Sequence, residues 1–148
     1  MTDIVRILES YSTAKGFTYH YGRNNVLNLL ETGYNWDGAT DSIYFLHEFR
    51  RGNRKDKDTT SYSGTFYLVV HSSINQNYFQ EVGLKSQGKY QNNIEPLIDI
   101  YEAFESYFFC SLVDVKSSNF IDVSDFLDAN LDGIKVDYTI EVPNRYTL

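Results

Sequence analysis

The sequence predicts an α+β fold: an antiparallel-rich mixed sheet with a long β-hairpin, flanked by two main helices. Three observations point there. Residues 3–15 and 93–108 repeat apolar side chains at the i, i+3, i+4, i+7 spacing of a one-faced helix. Residues 43–51 and 62–71 are rich in aromatic and β-branched side chains and flank a polar connector, as hairpin arms do. Residues 134–142 alternate apolar and polar, the mark of a strand with one wet face. Helix, two long strands, helix, then strands is the order of an α+β layout with helices packed on a sheet. At 148 residues the chain reads as a single domain, 1–148, with enough core to need no staples.

Taken in order, Ile4, Ile7, Leu8 and Tyr11 form the first helical stripe. Thr2 or Asp3 is placed to cap it, and Gly16 is placed to end it. Phe17–Tyr21 alternates as a short strand would. Asn24 or Asn25 begins a brief helix through Val26, Leu29 and Leu30, and GYNWDGATD (33–41) is loop chemistry. In the second hairpin arm, Phe66, Leu68 and Val70 alternate with Tyr67 and Val69, so both faces are apolar. Such a strand is either central and covered twice, or it offers one face to a partner. The connector GNRKDKDTTS (52–61) buries nothing and predicts a long exposed tip. Residues 72–92 read as an irregular connector.

The strongest helix follows, with Ile94, Leu97, Ile98, Tyr101, Phe104 and Phe108 on one stripe, Asn92 or Asn93 as cap and Pro96 in the first turn. Leu112–Val115 reads as a strand, and Phe120–Leu127 as a mixture of strand and turn. The last strand, Ile134–Val142, stops at Pro143.

Charge and composition exclude several classes. Net charge is −7, yet residues 1–74 carry eight basic and eight acidic side chains while residues 75–148 carry five and twelve. The basic residues Arg50, Arg51, Arg54, Lys55 and Lys57 gather in one stretch, which Asp56 and Asp58 partly neutralise. Nucleic-acid binding needs an extended positive surface, so no specific nucleic-acid partner is expected. The single cysteine, Cys110, permits no intrachain disulfide and fits a small buried hydrophobe in a reducing compartment. Residues 1–4 lack the basic and apolar regions of a signal peptide, and no window reaches the ~20 apolar residues of a membrane span, so a non-secreted chain without a membrane partner is expected. The 13 Tyr and 10 Phe suit a protein interface or the rim of a β-rich core.

No motif carries chemistry. Asp128-Ala-Asn130-Leu-Asp132-Gly133 matches the start of a calcium loop, but the twelfth position is Thr139 where a bidentate Glu belongs, and a strand follows instead of a helix. A polar turn with Gly133 at positive φ is the preferred reading. His47 and His71, with Glu48 nearby, would hold a metal only if both imidazoles shared a face in register with a third ligand. His20 stands between Tyr19 and Tyr21. Asp99, Glu102 and Glu105 lie opposite the apolar stripe and mark a solvated face, not an acid/base pair. The nucleophile-elbow, phosphate-loop, dinucleotide, zincin and dithiol motifs do not occur. Neither enzymatic activity, cofactor nor metal is therefore expected.

The order of SIYFLHEFRR (42–51), SYSGTFYLVVHS (61–72), NNIEPLIDIYEAFESYFF (92–109) and DGIKVDYTIEVP (132–143) resembles the tail-completion, tail-terminator and neck-ring proteins of tailed bacteriophages. The resemblance implies a virion structural protein, assembled in the bacterial cytoplasm, that forms a homo-oligomeric ring at the head–tail junction or tail top and contacts neighbouring neck or tail proteins. It carries no catalytic residues. The alternative is a small acidic monomeric binding protein, such as a toxin-neutralising immunity protein. For a ring, charge placement assigns the interface to Arg50, Arg51, Arg54, Lys55 and Lys57, facing acidic surface of the next copy, with Tyr67 and Val69 as its apolar part.

Overall fold

The computed structural model describes residues 3–23, 43–71, 93–109, 111–126 and 131–144. The expected helix over 24–30, the loop at 33–41, the connector over 72–92, Cys110, Asp128 and Asn130 lie outside them. The described elements run α1 (Ile4–Lys15), β1 (Thr18–Tyr21), β2 (Tyr44–His47), β3 (Arg51–Arg54), β4 (Thr59–His71), α2 (Glu95–Tyr107), β5 (Asp114–Phe126) and β6 (Leu131–Pro143). They form the expected α+β architecture: two helices and a six-stranded, mixed but mostly antiparallel sheet.

Asp3 caps α1, its side chain accepting from the Val5 and Arg6 amides, and Gly16 ends the helix at φ 79°. That left-handed conformation carries no Cβ penalty only for glycine. The second helix departs from expectation at its start. Its N-cap is Ile94, whose hydrocarbon side chain offers no cap acceptor, while the expected cap residue Asn93 donates its side-chain amide to the Asp132 carboxylate at 3.0 Å. Pro96 sits in the first turn, where its missing N–H costs nothing.

The sheet order is β1-β2-β4-β6-β5, with β3 also pairing β4. β1 and β2 are parallel; the other pairs are antiparallel. β2 and β3 lie end to end along β4, separated by Glu48–Arg50, and β4 and β6 pair along 13 positions from Thr59↔Pro143 to His71↔Leu131. Both helices pack on one face, where Ile7, Leu8, Tyr11, Leu97 and Phe104 meet Phe45, Phe66, Leu68, Ile134 and Val136. Tyr44, Leu46, Tyr67, Val69 and Leu131 form a second buried cluster on the other face. β4 is thus the central strand, covered on both sides, as its two apolar faces allow.

Three local expectations change. The connector 52–61 is not a long loop: most of it lies in β3 and β4, leaving a turn at Lys55–Asp58. Backbone pairing needs no apolar side chain, so polar composition alone misread a strand end. Asp56 closes that turn by accepting from the Asp58 and Thr59 amides at 2.7 and 2.8 Å. Likewise, 114–126 is one strand of 13 residues, with bulges at Val115/Ser117 and Val123/Phe126, rather than two short pieces split by Lys116–Asn119. Finally, Gly133 lies inside β6 opposite Val69 and Val123, and the positive-φ glycine among the described residues is Gly16. Gly133 is required for space: a Cβ there would overlap the Leu68 carbonyl oxygen and lie 2.9 Å from Leu97 Cδ1.

Candidate interaction surface

The basic stretch splits into residues with quite different roles. Arg50 is a latch within the chain. Its Nη1 donates to the Tyr21 hydroxyl at 2.8 Å and its Nη2 to Asp3 Oδ2 at 2.9 Å, while Asp3 Oδ1 caps α1. One carboxylate thereby ties the start of α1 to the hairpin. Lys55 forms an ion pair with Glu141, which Lys116 also approaches, so part of the basic end is neutralised by acid of its own chain. Arg54 folds back to donate to the carbonyls of Asp56 and Lys57 at 3.2 and 3.4 Å. Asn144 fastens the same turn to the end of β6, its amide donating to Asp58 O and its side chain to Lys57 O, both at 2.7 Å. Arg51, Arg54 and Lys57 remain exposed. Tyr67 and Val69 are 4% and 0% exposed. Neither gives area to a partner in this conformation, because β4 is the sheet's centre.

Beneath the hairpin lies a polar core. His47 Nδ1 sits 2.7 Å from the Tyr19 hydroxyl and Nε2 2.6 Å from the Tyr138 hydroxyl. A neutral imidazole donates from one nitrogen and accepts at the other, so the two tyrosines play opposite parts. Gly64 faces Tyr138 across β4 and β6, and a Cβ there would come 2.8 Å from the Tyr138 oxygen. Burial, reinforced by the nearby Arg50 charge, lowers the His47 pKa to about 3. Burial likewise pushes the Tyr19 and Tyr138 hydroxyls well above the usual tyrosine range. His47 is fully buried with both nitrogens bonded, so it cannot reach a substrate as general base.

An open groove of about 490 Å³ runs alongside, lined by Asp3, Arg6, Glu9, Tyr19, Tyr21 and Arg50. Its charges are matched in pairs, Arg50 with Asp3 and Arg6 with Glu9 at 3.3 Å. The two hairpin histidines do not meet: His47 pairs with Phe66, five positions along β4 from His71. His20 pairs with Leu46 across β1 and β2, and burial lowers its pKa. Asp132 lies within β6, opposite Val70. Among the described residues no three metal-binding side chains gather, and no helix is long and apolar enough to cross a membrane.

The surface that the sequence reading missed is apolar. Large exposed hydrophobics among the described residues are Phe49, Tyr107, Phe109, Leu112, Phe120 and Ile121. All but Phe49 fall between 107 and 121, at the end of α2, on the α2–β5 connection and on β5, the end strand of the sheet among the described residues. Phe109 and Leu112 are 81% and 70% exposed, and Ile121 is 62% exposed. These exposed apolar side chains are neighbours in sequence, with Phe120 on the helix side of β5 and Ile121 on the other. A signal was available in Phe120-Ile121: adjacent strand residues point to opposite faces, so an edge strand cannot bury both on one core.

No family model matches this chain, and no curated protein or solved structure matches it.

Proposed function

We propose that this chain is a structural subunit that works by binding copies of itself and neighbouring proteins, in the manner of the ring-forming tail-completion or neck proteins of tailed phages. The observation that carries the reading is the run of exposed apolar side chains from Tyr107 to Ile121, which leads into and along β5, the end strand of the sheet among the described residues, where another subunit can add. The exposed basic turn supports it. Arg51, Arg54 and Lys57 share one end of the sheet with Leu112 and the start of β5, because Thr59 pairs with Pro143 and Asp114 with Glu141. Apolar area supplies affinity there, and rim charge steers encounter and register. Tyr67 and Val69 leave the proposed interface; Phe109, Leu112 and Ile121 replace them. Lys55 and Arg50 serve the fold first.

Native mass spectrometry over a concentration and salt series tests the assembly. One closed stoichiometry is expected, abolished by Phe109→Ser with Leu112→Ser while the fold persists. Arg51→Glu with Lys57→Glu should slow assembly and reduce its salt dependence. A strict monomer at every concentration would refute the reading. That outcome would favour the second one, an acidic binding protein such as a toxin-neutralising immunity protein, which the exposed carboxylates Asp99, Glu102 and Glu105 on α2 and Asp114 and Asp122 on β5 support.

A further inference from the structure

We infer that the outer edge of β5 pairs, antiparallel and about a two-fold axis through Phe120, with β5 of a second copy. β5 ends the sheet, with β6 on one side and no strand on the other among the described residues. Proteins protect such edges with bulges, prolines, lysines or short length. β5 is 13 residues long and its bulges stand near its two ends, at Val115/Ser117 and Val123/Phe126. Between them Ser117–Val123 pairs regularly with β6, contains neither proline nor lysine, and has Asp122 as its only charge. The least protected window, with Asp122 as its one guarding charge, is therefore bracketed, and its middle residue is Phe120.

The register follows from the faces. Ser118 and Phe120 both touch Tyr101 of α2, through a 2.7 Å hydroxyl contact and rings 5.2 Å apart, so they face the helices. By alternation Asp122 shares that face, and Asn119 and Ile121 take the other. A two-fold normal to the sheet preserves faces, so its centre must fall on a residue rather than between two. Centring on Phe120 uses the whole window. It sets Phe120 against its own copy, Ser118 against Asp122 twice, and Asn119 against Ile121 twice. Each acidic side chain then meets a hydroxyl, and no like charges oppose one another. Centring on Ile121 would instead place Asp122 against Phe120. Centring on Asn119 would leave Phe120 and Ile121 against Ser118 and Ser117 and carry the bulged Lys116 into the pairing. The self-complementary register is what selects a second copy as the occupant.

This pairing occupies the same β5 edge as the proposed ring contact and differs from it in symmetry. It joins copies in twos, and a closed assembly that contained it would have dihedral symmetry.

The test uses the full chain with Cys110→Ser, so that only an introduced thiol reports. Phe120→Cys should form a disulfide-linked dimer under mild oxidation, since opposed residues in an antiparallel pair lie ~4.5–5.5 Å apart at Cβ. Asn119→Cys and Ile121→Cys, each opposite the other's position, should crosslink at least tenfold more slowly. Faster crosslinking at 119 or 121 would overturn the register. Because Phe120 touches Tyr101, Ile121→Lys provides a second test on the other face: the parent should sediment as a dimer and this variant as a folded monomer. A parent monomeric at high concentration overturns both this pairing and the ring. A ring of one stoichiometry without a crosslink at 120 overturns the pairing alone. A crosslinked dimer that never grows upholds the pairing and overturns the ring.

Discussion

Acidification should destabilise this protein through His47. The imidazole is fully buried between the Tyr19 and Tyr138 hydroxyls, and its pKa falls from 6.5 to about 3 on folding, first because burial disfavours the cation and then because Arg50 repels it. The unfolded chain thus takes up a proton as pH drops below 6.5 while the folded chain does not. Stability is full above the unfolded pKa and is lost progressively as pH falls toward the folded one. Linkage over these two values gives a loss of about 2 kcal/mol between pH 7 and pH 5 from this residue alone. Urea unfolding at the two pH values measures it. Burial lowers the His20 pKa as well, which adds its own pH dependence, so the comparison is with His47→Gln, which keeps a donor and an acceptor for the tyrosines but does not titrate. The variant should start less stable at pH 7 and lose about 2 kcal/mol less than the parent on going to pH 5. Equal losses in the two proteins would refute the reasoning, because His47 would then be protonated as easily folded as unfolded.

Other outcomes follow from single contacts. Gly133→Ala must displace the Leu68 carbonyl or β6 itself, and overpacking of this kind costs about 1–3 kcal/mol; a thermal melt should show a clear drop in Tm, and an unchanged melt would mean that the strands can separate there freely. Asp3→Ala removes both the α1 cap and the Arg50 partner and should cost about 1–2 kcal/mol, whereas Asp3→Asn keeps a cap acceptor and should cost less than half as much by urea unfolding. Trypsin should cleave the hairpin at Lys55 or Lys57, in the turn, before Arg51 or Arg54 in β3; prompt cleavage at Arg51 would mean that β3 opens readily from β4.

Much of the architecture is legible locally. The stripe Ile4, Ile7, Leu8, Tyr11 with Asp3 and Gly16 at its ends specifies α1 by periodicity and caps. The alternation from Ile134 to Val142 specifies β6 and its buried face, whereas the two apolar faces of β4 left open a central strand or a face offered to a partner, and only the sheet order and burial decide for the first. The stripe and the alternation depend on spacing along the chain, which sequence displays directly. Tertiary contact decided the rest. Thr59–Ser61 and Ser117–Asn119 are strand because a neighbour completes their hydrogen bonds, and nothing in a polar side chain announces that neighbour. Arg50 resembled its neighbours Arg51 and Arg54 until the fold brought Asp3 and Tyr21 to it from 47 and 29 positions upstream. His47, His71 and Asp132 could be judged as ligands only once register separated the histidines and Asn93 met the aspartate. The exposed side chains were hidden for the same reason: Phe109, Leu112 and Ile121 have the chemistry of core residues, and only the tertiary placement of the α2–β5 connection and of β5 leaves them in water.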